Sequence, residues 1–169
     1  MITEQDACEI IQLATDAEIE IWLDGGWGID ALIGRQTRPH DDIDLFVQRK
    51  HAPQLVGLIT AQGFTEKPMA YTLEDHTVWE DGNGRTIDLH VFDFIENDQI
   101  AFLGEHYPAE VFSGRGAIAG IKVSCIEPAS QLLFHLGYEH DDNDVHDVML
   151  LCEAFGFDVP EEYRQQENI

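Results

Sequence analysis

Two aspartates two positions apart carry the clearest chemical signal in this chain. Asp42 and Asp44 begin the run Asp-Ile-Asp-Leu-Phe-Val, whose apolar residues are typical of a β-strand. Because side chains at positions i and i+2 of a strand point to the same face, these two carboxylates lie side by side. Like charges so placed repel each other unless a cation lies between them, and Mg²⁺ prefers carboxylate oxygens as ligands. The spacing therefore predicts a metal site.

A glycine-rich turn precedes this strand and follows a short apolar strand predicted at residues 19–23. Gly25 and Gly26 have no side chains, so a phosphate can approach their backbone N–H groups closely. A phosphate-binding turn beside a metal site predicts a metal-dependent enzyme that acts on a nucleoside triphosphate.

A third carboxylate, Asp88, lies on the second strand of a predicted hairpin. An Asn-Gly pair favours a tight turn between strands at residues 72–79 and 86–94. Asp88 shares a face of its strand with His90. If this strand lies beside the first aspartate pair, the three carboxylates can hold two divalent ions about 3.5–4 Å apart. One ion then bridges the triphosphate, and the other lowers the pKa of an attacking hydroxyl, whose proton passes to a nearby carboxylate.

The remaining pattern predicts the elements that position these residues. Helices are expected at residues 3–17, 27–33, 52–61, 128–136 and 145–155. One more strand is expected at 118–125, and an acidic loop at 139–144 separates the last two helices. The fold class is therefore α+β, a small mixed β-sheet flanked by helices, with a short C-terminal helical segment. We expect one domain, with a core at residues 1–127 and a helical extension of it at 128–169.

The amino-acid composition argues against a membrane-spanning, zinc-binding or disulfide-linked protein. The chain has 169 residues, 44% of them hydrophobic, which is ordinary for a globular domain. No apolar run approaches the ~18 residues of a membrane span, so no membrane is expected as a partner. The three cysteines show no spacing typical of a zinc site or a disulfide framework, and the N-terminus has no signal-peptide pattern. We therefore expect a reduced, cytoplasmic protein.

The net charge of −24, from 33 acidic and 9 basic residues, is unusual. Long-range repulsion disfavours a nucleic acid as the main partner. A cationic small molecule would instead be attracted. A solvated acidic surface of the kind that halophilic proteins use explains the same charge, so both interpretations stay open.

A longer pattern links these features. The Gly-Gly turn is followed by Gly-Arg-Gln-Thr-Arg-Pro-His-Asp-Asp-Ile-Asp at residues 34–44, and a single aspartate follows on a later strand. This order resembles the signature of the small antibiotic nucleotidyltransferases, the lincosamide and aminoglycoside 2″-type adenylyltransferases of the polymerase-β-like superfamily. Residues 134–153 resemble the C-terminal segment of the single-domain members. The resemblance implies a polymerase-β-like nucleotidyltransferase fold.

The resemblance also implies a role for each matching residue. Asp42, Asp44 and Asp88 would be the catalytic Mg²⁺ ligands, and Asp88 is also a candidate general base. The residues expected to lie around the nucleotide are Gly25, Gly26, Arg35, Thr37, Arg38 and His40. The implied reaction is attack by a hydroxyl of a small molecule, such as an aminoglycoside or a lincosamide, on the α-phosphate of ATP or another NTP, with release of pyrophosphate.

Other interpretations stay open. A toxin–antitoxin or regulatory nucleotidyltransferase would modify a protein or a tRNA, and a non-catalytic relative would only bind nucleotide. A chain this short has little protein to enclose a large substrate, which favours a homodimer with the acceptor site near the interface. The first hairpin strand is expected to line the acceptor pocket with Tyr71, Glu74, His76, Trp79 and Glu80. Trp27 is expected to be a core residue, and His135, Tyr138, His140 and His146 are expected to be structural or to line the substrate site.

Overall fold

The computed structural model describes residues 1–164, so residues 165–169 of the expected C-terminal extension lie outside it. Its helices are α1 (Glu4–Asp16), α2 (Gly25–Ile33), α3 (Ala52–Ala61), α4 (Pro128–Phe134), α5 (Asp142–Phe155) and α6 (Glu161–Arg164). Its strands are β1 (Ile21–Asp24), β2 (Asp42–Gln48), β3 (Thr65–Glu66), β4 (His76–Glu80), β5 (Thr86–Ile95), β6 (Gln99–Phe102), β7 (Glu105–Pro108), β8 (Gly114–Ile118) and β9 (Ile121–Cys125). Among the described helices, none has the length and apolar character that crossing a membrane requires.

The described strands form one mixed sheet in the order β3-β4-β5-β2-β1-β9-β8, and β6 and β7 extend it from the second half of β5. Strand β2 runs parallel to β5 and antiparallel to β1. Strand β1 in turn runs parallel to β9. This mixed sheet with flanking helices confirms the predicted α+β class.

The two faces of the sheet have different characters. On one face, Ile43, Leu45 and Leu89 are fully buried in the core that α1, α2 and α3 complete. Since side chains alternate along a strand, Asp42, Asp44 and Asp88 must lie on the other face. That face also carries a second core cluster rich in aromatic residues, which comprises Trp22, Phe46, Phe92, Ile100, Val111, Phe112 and Ile126. The carboxylates therefore lie beside an aromatic surface.

Three predicted boundaries were wrong by three or more residues, each because of local turn chemistry. Strand β4 begins at His76 rather than at residue 72, because the Thr72 hydroxyl accepts a hydrogen bond from the backbone N–H of Met69 and closes a turn. The strand expected at 118–125 is the second half of a hairpin, since Ala119 and Gly120 take positive φ values of 49° and 80° between β8 and β9.

Helix α5 begins inside the loop expected at 139–144. Asp141 is its N-cap and accepts hydrogen bonds from the backbone N–H groups of Asn143 and Asp144. The Asp144 carboxylate accepts the Asp141 N–H in return, which completes a capping box. The acidic run is therefore a helix start.

Candidate active site

The three predicted carboxylates lie on two neighbouring strands. Asp44 of β2 is paired directly with Asp88 of β5 across the parallel ladder, and Asp42 lies two residues earlier on the same face. On the other side of β2, Asp44 is paired with Asp24, the last residue of β1. The sheet thus gathers four carboxylates on one face.

Crowding of these charges changes the pKa values of two carboxyls. Burial raises the pKa of Asp44 well above its ordinary value, and the negative charges of Asp42, Asp24 and Asp88 raise it further. The pKa of Asp42 is also raised, by burial and then by the charges of Asp88 and Asp41. Partly desolvated carboxylates that repel each other are stabilised by a bound divalent cation, so this donor set fits Mg²⁺.

Asp88 differs because two histidines contact it. His76 Nε2 lies 2.6 Å from Asp88 Oδ1, and His90 Nε2 lies 3.3 Å from the same oxygen. Burial by itself would raise the pKa of Asp88, but hydrogen bonding to His90 and the charges of His90 and His76 outweigh it, so the pKa is lowered. In the described part of the chain, the donor atoms of these three residues lie within 4.8 Å of one another, close enough to hold a metal ion together.

Sequence reasoning placed His76 only near an acceptor pocket and placed His90 only on the same strand face as Asp88. The antiparallel register of β4 on β5, which sets His76 opposite His90, brings both imidazoles to Asp88. A register of this kind is not readable from either strand alone.

The glycine turn is the start of helix α2. Gly25 has a φ of 55°, and the Asp44 carboxylate occupies the space where a Cβ on Gly25 would lie. Asp24 is the N-cap residue, yet its side chain makes no capping hydrogen bond. The N–H groups of the first helical turn therefore have no side-chain cap, and a helix N-terminus of this kind favours an anion.

The loop between α2 and β2 is held by a buried aspartate that sequence reasoning missed. Asp30 of α2, 1% exposed, accepts a hydrogen bond of 2.5 Å from the Thr37 hydroxyl, and His40 Nε2 lies 2.5 Å from its other oxygen. Spacing offered no signal for it, because Asp30 lies in a helix otherwise lined by apolar residues. Thr37 and His40 thus brace the loop through Asp30, and their contact with nucleotide stays a prediction.

The two predicted arginines differ in their surroundings. The Arg38 guanidinium donates two hydrogen bonds to the Asp147 carboxylate, of 2.9 and 2.6 Å, and lies against Gly26 together with the His40 ring. Arg35 is exposed and has no ion-pair partner among residues 1–164. The Arg38 side chain therefore packs beside the first turn of α2, whereas Arg35 is exposed at the surface.

Of the residues expected to be structural or to line the substrate site, Trp27 and His140 lie in packing contacts, whereas Tyr138 and His146 are exposed. Trp27 is 1% exposed and stacks near His40, with ring centroids 4.6 Å apart. The His140 ring stacks on Tyr163 at 4.1 Å. Near the site, His146 Nε2 lies 3.2 Å from the Thr37 hydroxyl. The expected pocket residues Tyr71 and Glu74 precede β4 and do not belong to the strand.

A mixed sheet that carries paired carboxylates next to a helix N-terminus is the arrangement expected of a nucleotidyltransferase. Residues 6–151 match the family described as Aminoglycoside-2″-adenylyltransferase, and the chain belongs to this family. The resemblance found in the sequence is thereby confirmed, and the protein is an enzyme of the nucleotidyltransferase class. The family implies a nucleoside triphosphate and a divalent metal ion.

Individual relatives support the same class. A lincosamide resistance protein of Staphylococcus haemolyticus is 26% identical over 151 residues, which cover 87% of this chain and 92% of the relative. The crystal structure of the lincosamide antibiotic adenylyltransferase LnuA with bound lincomycin is similar with a TM-score of 0.77, at 26% identity, over 89% of this chain and 96% of that one. The structure of ANT(2″)-Ia with adenylyl-2″-tobramycin shares the fold, with a TM-score of 0.75 at 21% identity over 97% and 98% of the two chains.

Proposed function

We propose that this protein transfers the nucleoside monophosphate of ATP to a hydroxyl group of a small antibiotic and releases pyrophosphate. The observation that carries the proposal is the direct pairing of Asp44 with Asp88, beside Asp42 and against the N-terminus of α2. A protein or tRNA acceptor is not favoured, because the relatives are named for antibiotics.

Two antibiotic classes are candidates. A lincosamide is the first, because the lincosamide resistance protein aligns over most of both chains. An aminoglycoside is the second, because the net charge of −24 would attract a polycation and because the family bears that name.

Each residue has a role in this reaction. Asp42, Asp44 and Asp88 would hold two Mg²⁺ ions, which supply charge neutralisation at the triphosphate and a lowered pKa at the acceptor hydroxyl. The first turn of α2, with Arg38 beside it, binds the phosphates. The acceptor oxygen forms a bond to the α-phosphorus as the bond to the bridging oxygen breaks, and pyrophosphate leaves. The proton of the hydroxyl passes to Asp88, which hydrogen bonding to His90 and His76 keeps ionised beforehand.

The proposal includes a cytoplasmic homodimer that accepts a cationic substrate. Cys8, Cys125 and Cys152 are free thiols in the structure, which suits a reducing compartment. Light scattering of the purified protein tests the dimer, and a monomer at micromolar concentration would contradict it.

The activity is tested with MgATP and either lincomycin or tobramycin. We expect pyrophosphate release with at least one of them, together with a product that has gained one adenylyl group by mass spectrometry. The matched control is Asp88→Asn, which keeps the size of the side chain and should be inactive. Binding of MgATP without turnover of either antibiotic would contradict the proposed acceptor class.

A further inference from the structure

A cavity of about 160 Å³ lies next to the carboxylates on the same face of the sheet. Its walls are Asp24, Phe46, His90, Phe102, Tyr107 and Phe134. Phe46 follows Asp44 by two residues on β2, and His90 follows Asp88 by two residues on β5. Since two strand residues span about 6.6 Å, Phe46 and His90 place the cavity about that distance along the strands from Asp44 and Asp88. An acceptor whose attacking hydroxyl lies beside Asp88 can therefore extend into it.

Aromatic rings from five separate elements, β2, β5, β6, β7 and α4, form most of the wall. The Phe46 ring centroid lies 4.8 Å from those of both Phe102 and His90, and the His90 and Phe102 centroids lie 5.4 Å apart. Across the cavity, Tyr107 of β7 packs edge-on against Phe134 of α4 at 5.4 Å. Aromatic rings attract apolar groups by their carbon surface and cations by their π-electron faces.

The carboxylate in the wall, Asp24, has neither a capping nor an ion-pairing role within residues 1–164. Asp24 is the N-cap of α2 without a capping hydrogen bond, and no ion pair engages it within residues 1–164. In the same part of the chain, no lysine or arginine lines the cavity. His90 Nε2 is directed at Asp88, and His90 Nδ1 is buried without a hydrogen-bond partner. The cavity thus combines one negative charge with apolar walls.

We propose that this cavity binds an alkylammonium group of the acceptor, an amine whose nitrogen carries apolar substituents. Asp24 balances the charge of the group and the aromatic rings cover its carbon surface. The volume admits one small ring or branched alkyl amine, and the bound group directs a neighbouring hydroxyl of the same molecule towards Asp88. The proposal rests on the proposed function and adds the chemical class that the acceptor must carry at this position.

The test uses tetramethylammonium as the probe and tert-butanol as its uncharged counterpart of similar shape. Binding of each is measured by NMR titration of the purified protein with saturating Mg²⁺, so that the metal occupies the other carboxylates. We expect tetramethylammonium to bind at least about tenfold more tightly than tert-butanol, and to compete with the antibiotic that the enzyme accepts.

Two variants locate the binding. Asp24→Asn removes the charge and should weaken tetramethylammonium binding about tenfold, while Phe102→Leu keeps apolar volume but removes a π face and should weaken it severalfold. Asp98→Asn, an equal loss of charge at the exposed β5–β6 turn, should change it less than twofold. Circular dichroism checks that each variant is folded, and Phe134→Leu replaces any variant that is not.

The outcomes separate this inference from the proposed function. Antibiotic turnover together with equal binding of the two probes, or equal effects of Asp24→Asn and Asp98→Asn, would overturn the inference and leave the function standing. Charge-selective binding that Phe102→Leu weakens, without turnover of any antibiotic, would support the alkylammonium site and contradict the function.

Discussion

Among single residues, Asp44 shows that an ionised carboxylate at this site lowers the stability of the folded protein. Its carboxyl is partly buried next to three other carboxylates, and its raised pKa reflects the unfavourable energy of ionising it there. A group of this kind destabilises the folded protein at neutral pH until a cation binds.

We predict that, without metal, Asp44→Asn is more stable than the wild type, and that it has lost most of its activity. Removing the charge relieves the repulsion, so the Tm measured in EDTA at pH 7 should rise. Loss of a metal ligand should reduce kcat/KM by roughly 10²- to 10³-fold or more. Asp98→Asn, an exposed change of equal charge, should alter neither quantity. A lower Tm for Asp44→Asn would contradict the prediction.

The same residue predicts a pH dependence. Because the pKa of Asp44 is higher in the folded state than in the unfolded state, ionisation of Asp44 lowers the free energy of unfolding. The stability difference between wild type and Asp44→Asn should therefore be smallest below the ordinary pKa of 3.8, and should move against the wild type as pH rises through the raised pKa. Thermal unfolding of both proteins in EDTA from acid to neutral pH measures this, and a constant difference would contradict it.

At the scale of elements, the start of α2 is fixed by its contact with β2. A glycine with a positive φ value lies at each end of α2: Gly25, its first residue, with 55°, and Gly34, the residue that follows it, with 84°. A Cβ on Gly25 would overlap the Asp44 carboxylate, whereas a Cβ on Gly34 would meet open space. The two positions therefore separate backbone strain from damage to the site.

We predict that Gly25→Ala and Gly34→Ala lose similar stability but differ in activity. Each puts an alanine in the left-handed region, at a cost of about 1–2 kcal/mol. Gly25→Ala also displaces Asp44, and kcat/KM should fall by roughly 100-fold. Gly34→Ala should keep kcat/KM within about twofold. Urea unfolding and steady-state kinetics measure the two effects, and equal loss of activity would contradict the prediction.

The sequence predicted those features of the fold and the site that depend on residues close together in the chain. The capping residue Thr3 and the apolar spacing gave α1, and Gly34 gave the end of α2. The alternation of Asp42 and Asp44 with Ile43 gave their shared face. The pairing of Asp44 with Asp88 could be stated only as a condition, because it depends on which strands are neighbours. Sequence patterning also did not predict β6 and β7, which carry part of the aromatic wall.

At the scale of the whole molecule, the C-terminal helices are tied to the site. Arg38, in the loop before β2, forms a two-bond ion pair with Asp147 of α5, and both side chains are largely buried, at 17% and 3% exposure. This contact supports our proposal that residues 128–164 belong to the same domain as residues 1–127.

We predict that Asp147→Asn destabilises the protein by about 3 kcal/mol, because it leaves the Arg38 charge buried without its partner. Glu80→Gln provides a matched control, since it breaks the half-exposed pair with Lys67 and should cost less than about 1 kcal/mol. Arg38→Met combined with Asp147→Leu should recover part of the loss in urea unfolding. An equal loss of unfolding free energy in Asp147→Asn and Glu80→Gln would show that the Arg38–Asp147 ion pair contributes little to stability.

The net charge of −24 gives a last prediction, which separates surface repulsion from the metal site. Repulsion among surface carboxylates is screened by any salt, with a Debye length of about 10 Å at 0.1 M, so the Tm should rise with NaCl in both wild type and Asp44→Asn. Mg²⁺ at equal ionic strength should raise the wild-type Tm further, because it also occupies the carboxylate site. Asp44→Asn should lack most of this extra rise. If Mg²⁺ and NaCl at matched ionic strength stabilise the wild type equally, the carboxylates of β2 and β5 do not form a metal site.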